Sequence, residues 1–354
     1  MTHAAYRRAQ LEALVEAQGA TRAAPPLLLP ADPYFDLAGE EFGRRLLLTS
    51  GASSAEYCLR PDFTLPIVAD YIANGAGAPA AFSYLGPIFR QREGLPAEFD
   101  QAGLELVAQP NGDVALDQVL TFARAALDLY GVRPHIRLGG VGLFEALLAQ
   151  ADMPAPWRPR IRHRFGHTEA LARLLSRLEA APDAPRVEQP TREALIAEIT
   201  ENMVAAGLSL SEGRTPAEIA DRYLEQQALD AAHVPPATLQ LLRDYLAISG
   251  SVLQALTRIE VLAERHRLML GAPIRTLRRH LDNLGEAHVS FDASFSPRLD
   301  YYTGIVFEMR GPGGAVLVSG GQYDRLLERL GATAPIAASG CAVWVDRLEA
   351  ELAP

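Results

Sequence analysis

Residues 291–330 read FDASFSPRLDYYTGIVFEMRGPGGAVLVSGGQYDRLLERL. Val289, Phe291 and Ala293 alternate with polar neighbours, which predicts a strand. Tyr301, Tyr302, Ile305, Val306 and Phe307 are the aromatic and β-branched residues that pleated sheets favour. Gly311-Pro312-Gly313-Gly314 is a turn signal, and Ala315 to Val318 returns as the partner strand. Gly320-Gly321 predicts a bend or a close backbone approach, and Leu326, Leu327 and Leu330 give a short helical stripe. Asp300, Tyr301, Tyr302, Thr303 and Glu308 bring polar groups among these apolar residues. By pattern alone the block is a half-exposed antiparallel sheet.

Working outward, residues 81–109 (AFSYLGPIFRQREGLPAEFDQAGLELVAQ) read as two strands around a loop at 94–98. Gln101, Gly103 and Glu105 share parity, so they face the same way on a regular strand. That face is either a polar outer surface or the wall of a pocket. An amide and a carboxylate side by side can receive a ligand's ammonium and imidazole N–H. Upstream, Glu56-Tyr57-Cys58-Leu59-Arg60-Pro61-Asp62-Phe63-Thr64 reads as a strand running into a helix. Pro61 suits the first helical turn, and Asp62 suits the positive end of the helix.

These three blocks together resemble the histidyl-tRNA synthetase family of class II aminoacyl-tRNA synthetases. That family has an RGLDYYT-type strand followed by a GGRYDGL-type turn; here the residues are Arg298-Leu299-Asp300-Tyr301-Tyr302-Thr303 and Gly320-Gly321-Gln322-Tyr323-Asp324. Its LRPE-x-T motif is matched by Leu59-Arg60-Pro61-Asp62-Phe63-Thr64, and its QFHQ-x-G-x-E strand by Glu98-Phe99-Asp100-Gln101-Ala102-Gly103-Leu104-Glu105. The resemblance implies an α+β fold, an antiparallel sheet flanked by helices, with a mostly helical insertion. It further implies a histidine pocket built from Asp62, Thr64, Arg90, Gln101, Glu105, Tyr301 and Tyr302. Asp62 and Thr64 would hold the amino group. Arg90 would grip a carboxylate, because a guanidinium fork binds oxyanions bidentately. Residues 30–42 are a faint match to the first class II motif, which builds a dimer interface.

The departures decide the expected function. Activating an amino acid needs cations on the α-phosphate of ATP. Aligned on LDYYT, the family's catalytic arginine falls on Pro297; Arg298 is one step along, and one step in a strand reverses the face. The loop Glu93-Gly94-Leu95-Pro96-Ala97-Glu98 is acidic and apolar where the synthetases carry arginine. Near the end, Ala338 to Leu348 resembles the third class II motif. Arg347 is kept, but Trp344 and Val345 are bulky where adenine needs room. No anticodon-binding domain is expected after residue 354, and no catalytic residue is assigned. Retained pocket and altered activation groups resemble the regulatory subunits of ATP phosphoribosyltransferase. That resemblance implies a short-form catalytic subunit as partner, L-histidine as feedback effector, a homodimer within a hetero-octamer, cytoplasmic location, and neither tRNA nor cofactor. Two other readings stay open: a truncated enzyme that adenylates histidine or a similar acid, and a scaffold with a vestigial pocket.

Composition sets outer bounds. The 354 residues are 49% hydrophobic, enough for a large core. The expected divisions are 1–157 and 285–354 for the synthetase-like core and 158–284 for the helical insertion and connection. Net charge is −10, a poor basis for non-specific nucleic-acid binding, although a local arginine face can still meet RNA; that every Lys/Arg position is arginine reads as coding bias. Two cysteines, Cys58 and Cys341, fit a reducing compartment and have no metal-type spacing. The N-terminus lacks the apolar core of a signal peptide, and no run approaches the ~20 apolar residues of a membrane span. Residues 4–18 predict an amphipathic helix ended by Gly19, and 116–130 a strong helix ended by Gly131. The run RPRIRHRFGH at 158–167 reads as a solvated basic face; His163 and His167, four apart, make a poor metal pair with no third ligand nearby. Met269, Leu270 and the leucines of 239–262 are expected in the core.

Overall fold

Residues 80–107 form the central hairpin of the protein. A computed structural model describes residues 3–50, 56–75, 77–180, 190–210, 213–230, 233–284, 288–297 and 301–352. Its strands are β1 (Thr21–Arg22), β2 (Leu28–Pro30), β3 (Leu48–Ser50), β4 (Glu56–Leu59), β5 (Ala80–Phe89), β6 (Glu98–Val107), β7 (His135–Gly140), β8 (Ser249–Ser251), β9 (Val289–Asp292), β10 (Ile305–Arg310), β11 (Val316–Gln322) and β12 (Ala338–Trp344). Among the described residues, nine of these form one sheet in the order β1-β5-β6-β12-β11-β10-β7-β9-β8. Its pairs are antiparallel except β1 with β5 and β7 with β9. A smaller sheet has the order β2-β4-β3. The mixed α+β architecture expected from the sequence is therefore present. Pro87 is tolerated inside β5 because β1 pairs only with Phe82 and Ser83, leaving the proline's side of the strand without a ladder to break.

One face of the sheet is sealed by helix Gly112–Leu129, whose Leu116, Val119, Ala123 and Leu127 are fully buried. Asn111 caps that helix by accepting from the amides of Asp113 and Val114. Cys341 on β12 points at it, its thiol facing the Val119 carbonyl. Helix His3–Glu16 packs on the same side through Leu11 and Val15, and Arg8 reaches Asp100 of β6. Residues of even number on β6 thus face the helices, leaving Gln101, Gly103 and Glu105 for the opposite face.

Several local expectations are corrected. The helix after β4 runs Thr64–Ala73, so Pro61 precedes it. Arg60 is tied to neighbouring segments, its N–H donating to Leu27 O (2.7 Å) and its carbonyl accepting from Phe89 N–H (2.9 Å), and the helix starts four residues later. Tyr301 and Tyr302 precede β10 rather than lying in it, because Thr303 N–H turns onto Gln322 O (2.9 Å) and ladder pairing starts at Ile305. Gly320 and Gly321 are inside β11, not in a turn. The close approach they signalled is there: a Cβ on Gly320 would lie 2.4 Å from Gly340 O. The loop between β5 and β6 covers 90–97 and is longer than expected at its start. Met269 is 83% exposed and Leu253 49% exposed, so neither belongs to the core, whereas Leu270 does. Met269 sits in the connection between helices Val252–His266 and Gly271–Leu284 and faces outward. Arg298, Leu299 and Asp300 lie outside the described residues.

The chain divides into two compact units, residues 1–147 with 245–354, and residues 148–244. The second is helical, with helices Trp157–His163, Thr168–Ala180, Arg192–Ala205 and Pro216–Asp230. Leu171, Leu174, Leu175 and Leu178 form a buried stripe of Thr168–Ala180. In the basic run, Arg160 pairs with Glu225 at 3.0 Å and Arg158 donates to Ala151 O. Among the described residues no helix is long and apolar enough to cross a membrane, and no group of three or more His, Cys, Asp or Glu is placed to hold a metal ion.

Candidate functional site

Glu105 is the centre of the polar face of the sheet. Its side chain is 1% exposed. Oε1 accepts from Thr64 Oγ1 at 2.6 Å and from Tyr84 Oη at 3.2 Å, and Oε2 accepts from Tyr323 Oη at 2.5 Å. Tyr84 shares its hydroxyl with Cys341 O at 3.3 Å. Burial pushes the Glu105 carboxyl up to about 7; the Thr64, Tyr323 and Tyr84 hydroxyls pull it back, and Asp62 adds to the rise. The group therefore changes charge near neutrality, unlike a surface glutamate.

Two glycines make room for this cluster. Gly340 of β12 pairs with Glu105, and a Cβ there would sit 1.7 Å from Oε2. Gly103 pairs with Tyr84, and a Cβ there would lie 2.2 Å from the Tyr84 hydroxyl. Gln101 stands two positions before Gly103 on the same face, between Gly86 of β5 and Trp344 of β12. It is 1% exposed and its Oε1 has no hydrogen-bond partner. A buried amide oxygen left unpaired costs roughly 1–3 kcal/mol, so this acceptor is set to receive a donor.

The charged half of the site comes from the β4–helix junction and the end of β5. Asp62 Oδ1 accepts from Leu65 N–H at 3.4 Å, at the N-terminal end of helix Thr64–Ala73. Burial raises the Asp62 carboxyl above the usual range, and Arg90 opposes that rise. Arg90 donates through Nε to Pro61 O at 2.6 Å, and its guanidinium lies 4.7 Å from the Phe42 ring. Tyr301 and Tyr302 are buried with ring centroids 5.3 Å apart, and Tyr301 meets Tyr323 edge-on at 6.3 Å. Burial holds the Tyr301 phenol well above its ordinary value; Tyr302, Asp62 and Glu105 add to this and Arg90 opposes it. Burial likewise raises Tyr302, with Glu105 contributing.

Thr64 and Glu105 are thus in direct contact, and Asp62, Arg90 and Tyr301 lie within electrostatic reach of one another. Gln101 extends the same face. Tyr84 and Tyr323 were not singled out from sequence, although both fall inside the motif stretches. A tyrosine opposite a glycine was the available signal for Tyr84, once the strands are paired. Tyr34, also unselected, is 1% exposed and faces Asp62.

Arg92 and Arg347 of the motif regions each make contacts within the chain. Arg92 binds Asp346 at 2.6 Å and Pro96 O, and lies 3.6 Å from the Phe99 ring. Arg347 donates to Val316 O at 2.6 Å, with its guanidinium 4.9 Å from the Trp344 ring. Trp344 packs against the cluster of Phe63, Tyr84, Ile88 and Phe99.

The family model described as histidyl-tRNA synthetase matches residues 1–197 and 217–348. A Brucella ovis protein named ATP phosphoribosyltransferase regulatory subunit is 36% identical over 345 residues, which is 92% of this chain and 91% of its own. A Brucella abortus protein of the same name matches equally. Among solved structures, a Bacillus halodurans ATP phosphoribosyltransferase regulatory subunit/histidyl-tRNA synthetase has a TM-score of 0.68 at 20% identity, covering 99% of this chain and 79% of that one. A histidine–tRNA ligase subunit from Alicyclobacillus acidocaldarius has a TM-score of 0.58 at 26% identity, covering 98% and 93%.

Proposed function

The chain belongs to the ATP phosphoribosyltransferase regulatory subunits, within the histidyl-tRNA synthetase family, and from that premise we propose that it is the histidine-sensing, non-catalytic subunit of that enzyme. Its partner in this reading is the catalytic phosphoribosyltransferase subunit, and both work in the cytoplasm. The observation that carries the sensor role is the unpaired, buried Oε1 of Gln101 on the same strand face as the Glu105–Thr64–Tyr323 cluster. Free L-histidine supplies what this arrangement lacks. Its ammonium gives donors to Gln101 Oε1 and to Asp62. Its carboxylate suits Arg90, and its imidazole N–H suits Glu105 among the tyrosines.

Adenylation is disfavoured by the same geometry. Arg92 is engaged by Asp346 and Pro96 O, Arg347 donates to Val316 O, and Trp344 lies against Arg347. A polyphosphate would have to break those contacts. Feedback further requires histidine to bind two states of the complex unequally, since equal affinity shifts nothing.

The test is phosphoribosyl-ATP formation by the matching catalytic subunit, titrated with this chain, with and without histidine. Stimulation that histidine reverses is the expected result. No effect of this chain in the matched pair removes the reading, and histidine-dependent pyrophosphate exchange then tests the adenylating alternative.

A further inference from the structure

Helix Asp32–Gly43 touches both charged groups of the site from behind. Tyr34 lies in one buried cluster with Ala31, Leu46, Cys58 and Leu65, and its ring stacks on Phe42 at 6.2 Å and 12°. Phe42 in turn lies under the Arg90 guanidinium. Leu65, packed in the Tyr34 cluster, is the residue whose amide meets Asp62 at 3.4 Å, a long bond and the one that holds that carboxylate to the helix end. Tyr34 is 1% exposed, and its buried hydroxyl has no hydrogen-bond partner. It lies against the Asp62 carboxylate, close enough to stabilise its charge, yet outside hydrogen-bonding geometry. Nothing in packing requires an oxygen there. Phenylalanine would fill the same space and leave no buried hydroxyl unpaired.

We propose that Tyr34 is a positioning residue for the effector site: when a cationic amine is bound, its hydroxyl closes onto Asp62 and fixes the carboxylate facing the ligand. This rests on the histidine-sensor reading. The free state keeps the hydroxyl unpaired, and the bound state pairs it. Part of the binding free energy therefore comes from a contact that the ligand itself does not make. Binding is coupled in this way to helix Asp32–Gly43, which also backs Arg90 through Phe42.

The test is calorimetric titration of L-histidine into the chain assembled with its catalytic subunit, for wild type and Tyr34→Phe, alone and in an Asp62→Asn background. Thermal midpoints of the ligand-free proteins are measured alongside. Tyr34→Phe weakens histidine binding about tenfold, the equivalent of one ordinary hydrogen bond. Its ligand-free midpoint is unchanged or higher. In the Asp62→Asn background the same substitution changes affinity less than twofold. Unchanged affinity in Tyr34→Phe overturns the proposal. So does an equal loss in the Asp62→Asn background, or a midpoint lowered by several degrees, either of which makes the hydroxyl independent of Asp62 or merely structural. A wild-type complex that takes up no histidine overturns the sensor reading, and this proposal with it.

Discussion

The Glu105 carboxylate occupies the space that a side chain at Gly340 would need: a Cβ there would come within 1.7 Å of Oε2. The neighbouring strand is therefore part of the site by what it omits. Gly340→Ala forces Glu105 out of its contacts with Thr64 and Tyr323, or parts β6 from β12. Overpacking of this kind costs roughly 1–3 kcal/mol. Denaturant unfolding should register that loss, and histidine should no longer affect the assembled enzyme.

Glu105→Ala acts from the other side. It leaves the hydroxyls of Thr64, Tyr84 and Tyr323 without their shared acceptor. The feedback response to histidine is abolished, while assembly with the catalytic subunit is intact by size-exclusion chromatography. Retained feedback in this variant contradicts the pocket assignment.

The raised carboxyl of Glu105 predicts a sign for pH. A group with a folded pKa of about 7 and an ordinary value of 4.5 holds its proton longer in the folded chain. Its contribution to stability is therefore neutral below pH 4.5, turns unfavourable as pH rises to 7, and stays level above that. Full development corresponds to roughly 3 kcal/mol. Comparing wild type with Glu105→Gln removes the other titrating groups: the wild type loses ground to the variant between those limits and not outside them. A flat difference from pH 4 to 8 in urea unfolding would refute the assignment of that shift to Glu105.

Restoring one arginine does not restore synthetase chemistry. With Arg92 held by Asp346 and Arg347 bonded to Val316 O, Pro297→Arg adds one cation and leaves those two engaged where they are. Neither wild type nor Pro297→Arg charges tRNA with histidine in an aminoacylation assay. Charging by the variant would show that position 297 alone separates this chain from an enzyme.

The exposed and buried neighbours Met269 and Leu270 offer a control on the fold. Met269→Ser changes stability by no more than about 0.5 kcal/mol, because the side chain is 83% exposed. Leu270→Ala, at a position 1% exposed, costs about 2–5 kcal/mol. Parallel chemical denaturation of the two variants checks this.

Much of the fold was legible in residue order. Residues 81–109 read as two strands around a loop, and parity put Gln101, Gly103 and Glu105 on one face of β6, since side-chain direction is a property of the strand itself. The apolar stripe of 116–130 determined the helix that seals the opposite face. The motif stretches likewise contained Tyr84 and Tyr323, but nothing local marked either one. Their role comes from strand register: Tyr84 stands opposite Gly103, and Glu105 opposite Gly340, across ladders that join distant parts of the chain.

Element limits at the site were also outside the reach of local pattern. Pro61 favours a helix start, but two backbone hydrogen bonds tie Arg60 to other segments and the helix begins at Thr64. Tyr301 and Tyr302 have the composition of a strand, yet the turn at Thr303 and Gly304 frees them from the ladder.

The sequence by itself determined the strands and which residues share a face of β6, because periodicity is written in consecutive residues. Only the tertiary structure decided which polar groups are already paired and which are left waiting. Glu105 already accepts from three hydroxyls, while Gln101 Oε1 and the Tyr34 hydroxyl have no partner. Hydrogen bonding is set by separations of a few tenths of an ångström between segments far apart in the chain, and no local pattern encodes them.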